Sequence, residues 1–176
     1  MRARLPDASK AYVANKNDRP FVTVLDIAAR SIAARIPMPN GTQGVAASPD
    51  GKTVVAMDFA APEMAVIDTA TDTVTARIRL EGRTGGAYKA FFSPDGRWLL
   101  TLAGSTVGIF DAANLQGSQR TVSVGSFPMG FAFAADGNTA IVGNHDDGTM
   151  SVIDLTRAVV TRTVPAGEGV ETLTFY

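Results

Sequence analysis

Val66-Ile67-Asp68-Thr69-Ala70-Thr71, an apolar pair closed by an aspartate and followed by turn formers, is one of four related stretches. The others are Val24-Leu25-Asp26, Ile109-Phe110-Asp111 and Val152-Ile153-Asp154, so the four aspartates stand 42, 43 and 43 residues apart. Self-similarity at that period marks a repeat architecture, in which each unit buries its faces against its neighbours.

A second marker keeps step with the first. Ser48-Pro49-Asp50-Gly51, Ser93-Pro94-Asp95-Gly96 and the degraded Ala134-Ala135-Asp136-Gly137 each separate two short apolar runs. Proline presets φ, aspartate accepts from the backbone ahead of it, and glycine takes a positive φ, so each stretch reads as a tight turn. Between markers the pattern alternates with period two and is rich in Val, Ile, Phe and Thr, without helix signals. Each unit supplies four strands, A to D, which in the second unit fall at 44–48, 53–57, 64–68 and 73–79. Four strands in about 40 to 45 residues suit the blades of a propeller.

Ala11-Tyr12-Val13-Ala14-Asn15, Ser-Pro-Asp-Gly-Lys at 48–52 and the stretch at 66–71 resemble the YVTN-type β-propeller repeat, and the match covers nearly the whole chain. The chain departs from the motif at its name. Thr becomes Ala14 in the first blade and Gly143 in the fourth, and Asn survives only as Asn15 and Asn144, with Met57 and Leu102 in its place elsewhere. The resemblance implies an all-β propeller of four-stranded antiparallel blades and a periplasmic or extracellular location. It implies no single role, because one fold hosts many functions.

The repeats fall at about 5–40, 41–86, 87–129 and 130–169 of one domain, 1–176. Leu5-Pro6-Asp7-Ala8-Ser9-Lys10 is a worn copy of the A-to-B turn, so the first blade is expected to begin without its strand A. Residues 170–176 read as a strand A with nothing after it. Pairing them with residues 10–15 would close a ring of four blades within the chain or of eight in a homodimer, and a fragment of a larger propeller fits the same phase.

With 176 residues, 45% of them hydrophobic, the chain can bury a sizeable core. A formal net charge of −1 gives no strong nucleic-acid signal and no general attraction to anionic membrane. The absence of cysteine excludes disulfides, thiolate metal sites and a cysteine nucleophile. The longest apolar stretch, around Trp98 to Phe110, is interrupted by Thr101, Gly104, Ser105 and Thr106 and is too short to span a bilayer. Residues 1–15 contain no signal-peptide core, so an extracytoplasmic protein would have had its leader outside this sequence.

Antiparallel connectivity sorts the loops onto two faces. A-to-B and C-to-D turns are short and stereotyped, whereas the B-to-C and D-to-A loops vary, as in Lys16-Asn17-Asp18-Arg19-Pro20, Asp58-Phe59-Ala60-Ala61-Pro62 and Asn144-His145-Asp146-Asp147-Gly148. Recognition on a rigid scaffold is expected on the variable face. Its candidate binding residues are Asn15, Asp58, Lys89, Asn144, His145, Asp146 and Asp147.

The repeated strand C aspartates are expected to accept turn N–H groups rather than to form a catalytic cluster. His145, the sole histidine, is the one candidate for an imidazole base or an axial haem ligand, although Asp146-Asp147-Gly148 also reads simply as a hairpin turn. Arg35, Arg77, Arg120 and Arg162 recur at nearly one position of strand D, as a basic belt or as protection of the outer edge. The expectation is a non-enzymatic binding or scaffold module that requires no cofactor and meets a protein or small-molecule ligand. The alternatives are a hydrolase of the lactonase sort, activating water near Asp58, Asp147 and His145, and a haem-binding propeller.

Overall fold

In the computed structural model, residues 2–16, 20–81, 89–171 and 173 are described. They form four four-stranded antiparallel sheets and, among the described residues, no helix. The first sheet is β1 (Arg2–Arg4), β2 (Lys10–Ala14), β3 (Phe21–Asp26) and β4 (Ser31–Pro37); the second is β5 (Thr42–Ala47), β6 (Thr53–Asp58), β7 (Glu63–Asp68) and β8 (Thr73–Arg79). The third is β9 (Lys89–Phe92), β10 (Trp98–Ala103), β11 (Thr106–Asp111) and β12 (Arg120–Ser123); the fourth is β13 (Pro128–Phe133), β14 (Thr139–Asn144), β15 (Thr149–Asp154) and β16 (Val159–Pro165). Strand order within every sheet follows the sequence, as hairpin-connected blades require.

The turn chemistry repeats in side-chain detail. In the second blade Ser48 Oγ donates to Asp50 Oδ1 at 2.6 Å, and the backbone N–H of Lys52 donates to the same oxygen. The third blade copies this with Ser93, Asp95 and Arg97. Gly51 and Gly96 hold φ of 73° and 74°, which a side chain would resist. In the worn first copy Ala8 takes that conformation at φ 60°, and Asp7 accepts from the N–H and hydroxyl of Ser9. The strand C aspartates act likewise: Asp26 accepts from Ala29 N–H, Asp68 from Ala70 and Thr71, Asp111 from Ala113, and Asp154 from Arg157. They are turn anchors.

Three readings of the sequence are corrected. The first blade does have a strand A, since β1 pairs with β2 through Arg2 opposite Val13 and Arg4 opposite Ala11. The edge offered to residues 170–176 is therefore occupied by residues 2–4. Of that closing segment, Thr172 and residues 174–176 lie outside the described residues, as do Asn17, Asp18 and Arg19 of the first B-to-C loop. Second, the ladders place Lys10, Thr53, Trp98 and Thr139 opposite the four strand C aspartates. Counting on from them, the counterparts of Asn15 and Asn144 are Asp58 and Ala103, one place beyond Met57 and Leu102. Third, the arginines do not share one position. Arg35 and Arg77 lie opposite Thr23 and Ala65, whereas Arg120 and Arg162 lie opposite Ile109 and Val152. That one-residue difference puts the two pairs on opposite sheet faces, so no single belt forms.

The chain divides into two compact units, residues 1–92 and 93–176. In the first, Leu5, Tyr12, Val22, Val24, Ile36 and Met38 of the first blade share a core with residues of the second that include Val54, Ala56, Ala65 and Ile67. A polar clasp reinforces it: Lys10 Nζ donates to Asp72 Oδ2 at 2.7 Å and to Thr69 O at 2.8 Å, and the hydroxyl of buried Tyr12 donates to Asp72 Oδ1. Burial, and then the bond to Asp72, push the Tyr12 phenol well above its ordinary range. In the second unit the indole N–H of Trp98 donates to Gly137 O at 3.1 Å, and Arg120 donates to Thr156 O and Leu155 O at 2.6 and 2.9 Å.

Candidate functional site

Asn15, Asp58 and Asn144 stand where strand B ends in three blades; Asp58 turns into its own B-to-C loop, whereas Asn15 and Asn144 reach across to strand C. Asn15 Nδ2 donates to Phe21 O and Thr23 Oγ1 at 2.9 Å. Asp58 is 1% exposed; its Oδ1 accepts from Ala60 and Ala61 N–H at 2.9 and 2.7 Å, and its Oδ2 accepts from Asn40 Nδ2. Asn144 Nδ2 donates to Thr149 Oγ1 and Ser151 Oγ, both at 2.9 Å. These groups shape loops. Lys89 is half-buried at the start of β9. Asn15, Asp58 and Lys89 belong to the first unit, Asn144 to Asp147 to the second.

The structure brings the last four together with residues the sequence did not single out. The hairpin turn 145–148 is held from two sides by backbone bonds. His145 and Asp146 N–H donate to Phe127 O and Ser126 O, at 3.1 and 3.3 Å. Ala166 and Gly167 N–H donate to Gly148 O at 2.8 and 3.0 Å, and Gly169 N–H donates to His145 O at 3.3 Å. His145 is thereby fixed between both D-to-A segments flanking the fourth blade. Its Nδ1 lies 2.8 Å from Asp146 Oδ1, and its Nε2 lies 3.6 Å from Glu171 Oε1.

Phe127 completes the arrangement. Its ring meets the imidazole edge-on with centroids 5.8 Å apart, and it stays 43% exposed. Its φ is 50°, a conformation in which a bulky side chain crowds its own backbone. Beneath it, Asp147 Oδ2 accepts from Ser126 N–H at 2.7 Å. A Cβ on Gly125 would lie 2.4 Å from Asp147 Oδ2 and 2.7 Å from Asn144 Cβ, so only glycine fits there. Asn144 is fully buried, and its Oδ1 has no hydrogen-bond partner among the described residues.

The loops around His145 carry Asp146, Asp147, Glu168 and Glu171 and no lysine or arginine. Arg97 and Arg157 lie instead in A-to-B and C-to-D turns, and Arg120 and Arg162 in strand D. The surface is an exposed aromatic ring within an acidic rim. Among the described residues no three His, Cys, Asp or Glu side chains group as metal ligands. An axial bond from His145 Nε2 would have to form on the side where Glu171 stands. Phe127 and Gly125 escaped the sequence reading because no local pattern encodes a positive φ on phenylalanine or the closeness of Asn144.

No family model matches the chain, and no curated protein matches it in sequence. No helix among the described residues is long and apolar enough to cross a membrane. Among solved structures, the chain is similar to hydrazine synthase of Kuenenia stuttgartiensis, with a TM-score of 0.82 at 16% identity over 94% of this chain and 48% of that one. It thus spans about half the length of the solved chain it matches. At that identity the likeness shows the fold alone, which is an all-β propeller-like fold of four-stranded blades.

Proposed function

We propose that this chain is a non-enzymatic propeller module of the YVTN type that binds a partner on the B-to-C and D-to-A loop face of its fourth blade. The partner is a segment bearing lysine or arginine. The observation that carries this reading is Phe127, kept half-exposed at a positive φ against His145. Strained backbone persists where surrounding contacts over-determine it, and such strain concentrates at binding sites. The acidic rim supplies charge complementarity for a basic segment, and an exposed ring face adds a cation–π contact. The family resemblance makes an extracytoplasmic location part of the same proposal.

Calorimetric titration of the chain with a short oligoarginine peptide tests it, with an oligoglutamate of equal length as control. Saturable binding of the basic peptide alone, weakened by Phe127→Ala and by Asp146→Asn, supports the reading. Equal affinity in parent and variants, or no binding, overturns it.

A further inference from the structure

His145 stands between two carboxylates on different elements. Asp146, whose Oδ1 is 2.8 Å from Nδ1, belongs to the same turn, whereas Glu171, whose Oε1 is 3.6 Å from Nε2, belongs to the segment after β16. That segment is anchored beside the ring. Gly169 N–H donates to His145 O at 3.3 Å, and Val170 packs on Gly143, where an added Cβ would lie 3.1 Å from Val170 Cγ2. Gly148 approaches Gly167 so closely that a Cβ on it would come within 3.1 Å of the Gly167 carbonyl carbon. The backbone that carries Glu171 is thus held against the histidine turn.

A neutral imidazole carries one N–H, so it donates to one of these carboxylates and turns a lone pair toward the other. An imidazolium donates from both nitrogens and satisfies both. The elements packed around the ring supply no competing cation: the turn contributes Asp146 and Asp147, the segment after β16 contributes Glu168 and Glu171, and the segment before β13 contributes the uncharged Ser126 and Phe127. Histidine changes charge between about pH 5 and 8, where carboxylates and arginines ordinarily keep theirs, and His145 is the only histidine of the chain. The corresponding loop of the second blade lacks such a group. Phe59 holds the place of His145 there, because its N–H donates to Gly41 O at 3.2 Å as that of His145 donates to Phe127 O at 3.1 Å. The Lys16 ammonium lies 4.3 Å from the centroid of that Phe59 ring, so a cation already rests on this loop position in the second blade.

We propose that His145 makes the fourth blade's loop face pH-sensitive: once protonated, the imidazolium bonds both Asp146 and Glu171 and displaces the basic segment from them. This rests on the reading of that face as a site for lysine or arginine. Proton and ligand are two cations that compete for one pair of carboxylates. Affinity is therefore highest with His145 neutral and falls as pH drops through the range in which histidine charges. By reciprocity, binding of the basic segment expels a proton.

Calorimetric titration of the full chain with the oligoarginine peptide at pH 5.5 and 7.5, at constant ionic strength, tests it. Affinity is expected to be roughly two- to fivefold weaker at pH 5.5, the size that exposed ion pairs supply. At pH 6.5, heats measured in two buffers of different ionisation enthalpy are expected to differ in the sense of proton release. In His145→Gln both effects should vanish while the peptide still binds, and in Glu171→Gln, which leaves the ring in place, the pH dependence should shrink. Circular dichroism matching the parent shows that the variants remain folded. Equal or tighter binding at pH 5.5, or a pH dependence that persists in His145→Gln, overturns the proposal and leaves the basic-segment site standing. No binding of oligoarginine at either pH overturns that reading, and the proposal with it.

Discussion

Phe127 holds its ring edge-on to the imidazole of His145, 5.8 Å between centroids, while its own backbone sits at φ 50°. Contact and strain pull in opposite directions at this residue. Most side chains that pack well also sit in relaxed backbone, so the pair marks a place where stability and recognition can be separated by substitution.

Phe127→Gly is expected to remove the ring and relieve the left-handed strain together. Stability should hold or rise by up to about 1 kcal/mol in urea denaturation, while affinity for a basic peptide falls. A loss of stability above roughly 2 kcal/mol would make the ring a packing element instead.

Gly125→Ala is expected to destabilise the fourth blade's loops by about 1 to 3 kcal/mol, because the added methyl meets the buried Asn144 as well as the carboxylate of Asp147. The bond from Ser126 N–H to Asp147 should break with it. Hydrogen exchange at Ser126, compared between parent and variant, reads this directly.

The clasp between the first two blades is expected to be structural. Asp72→Ala strips the acceptor from the buried Tyr12 hydroxyl and the partner from Lys10, and should cost about 1 to 3 kcal/mol in urea denaturation. Peptide affinity at the fourth blade should be unchanged in the folded variant. Loss of binding without loss of stability would contradict the division between clasp and site.

Turn aspartates set an acid limit. Hydroxyl donors foremost at Asp50, Asp95 and Asp136, and backbone N–H donors foremost at Asp68 and Asp154, hold these carboxyls below their ordinary value of 3.8. A carboxylate whose folded value is depressed contributes stability that is present above the unfolded value and is lost as pH falls through the folded one. Melting temperature should therefore be flat in this contribution above about pH 4 and fall below it, less steeply in Asp68→Asn, as a calorimetric pH series would show.

Much of this fold is legible in the sequence because each of its signals is local. The strands expected at 53–57 and 73–79 are found at 53–58 and 73–79, since alternation and turn residues act over a few positions. β1 was missed because Arg2-Ala3-Arg4 is too short to alternate, and its strand character comes from pairing with β2. The arginine registers were missed for a related reason. β4, β8 and β16 share one bulge, after the partners of Val24, Val66 and Val152, but β12 pairs one residue later relative to Asp111, so that Arg120, nine residues after its aspartate like Arg35 and Arg77, falls in the register of Arg162, which follows its own by eight. At the site, His145, Asp146 and Asp147 were visible as unusual loop residues. Phe127, Gly125 and Glu171 join them only through contacts made across the blade.

Because His145 is the only histidine, its ring protons give a single pair of imidazole signals in the NMR spectrum of the intact protein. Titration with an oligoarginine peptide should move both signals along a saturable curve and leave them still when oligoglutamate is added. Unmoved imidazole signals at saturating basic peptide would contradict the assignment of the fourth blade's loop face as the binding site.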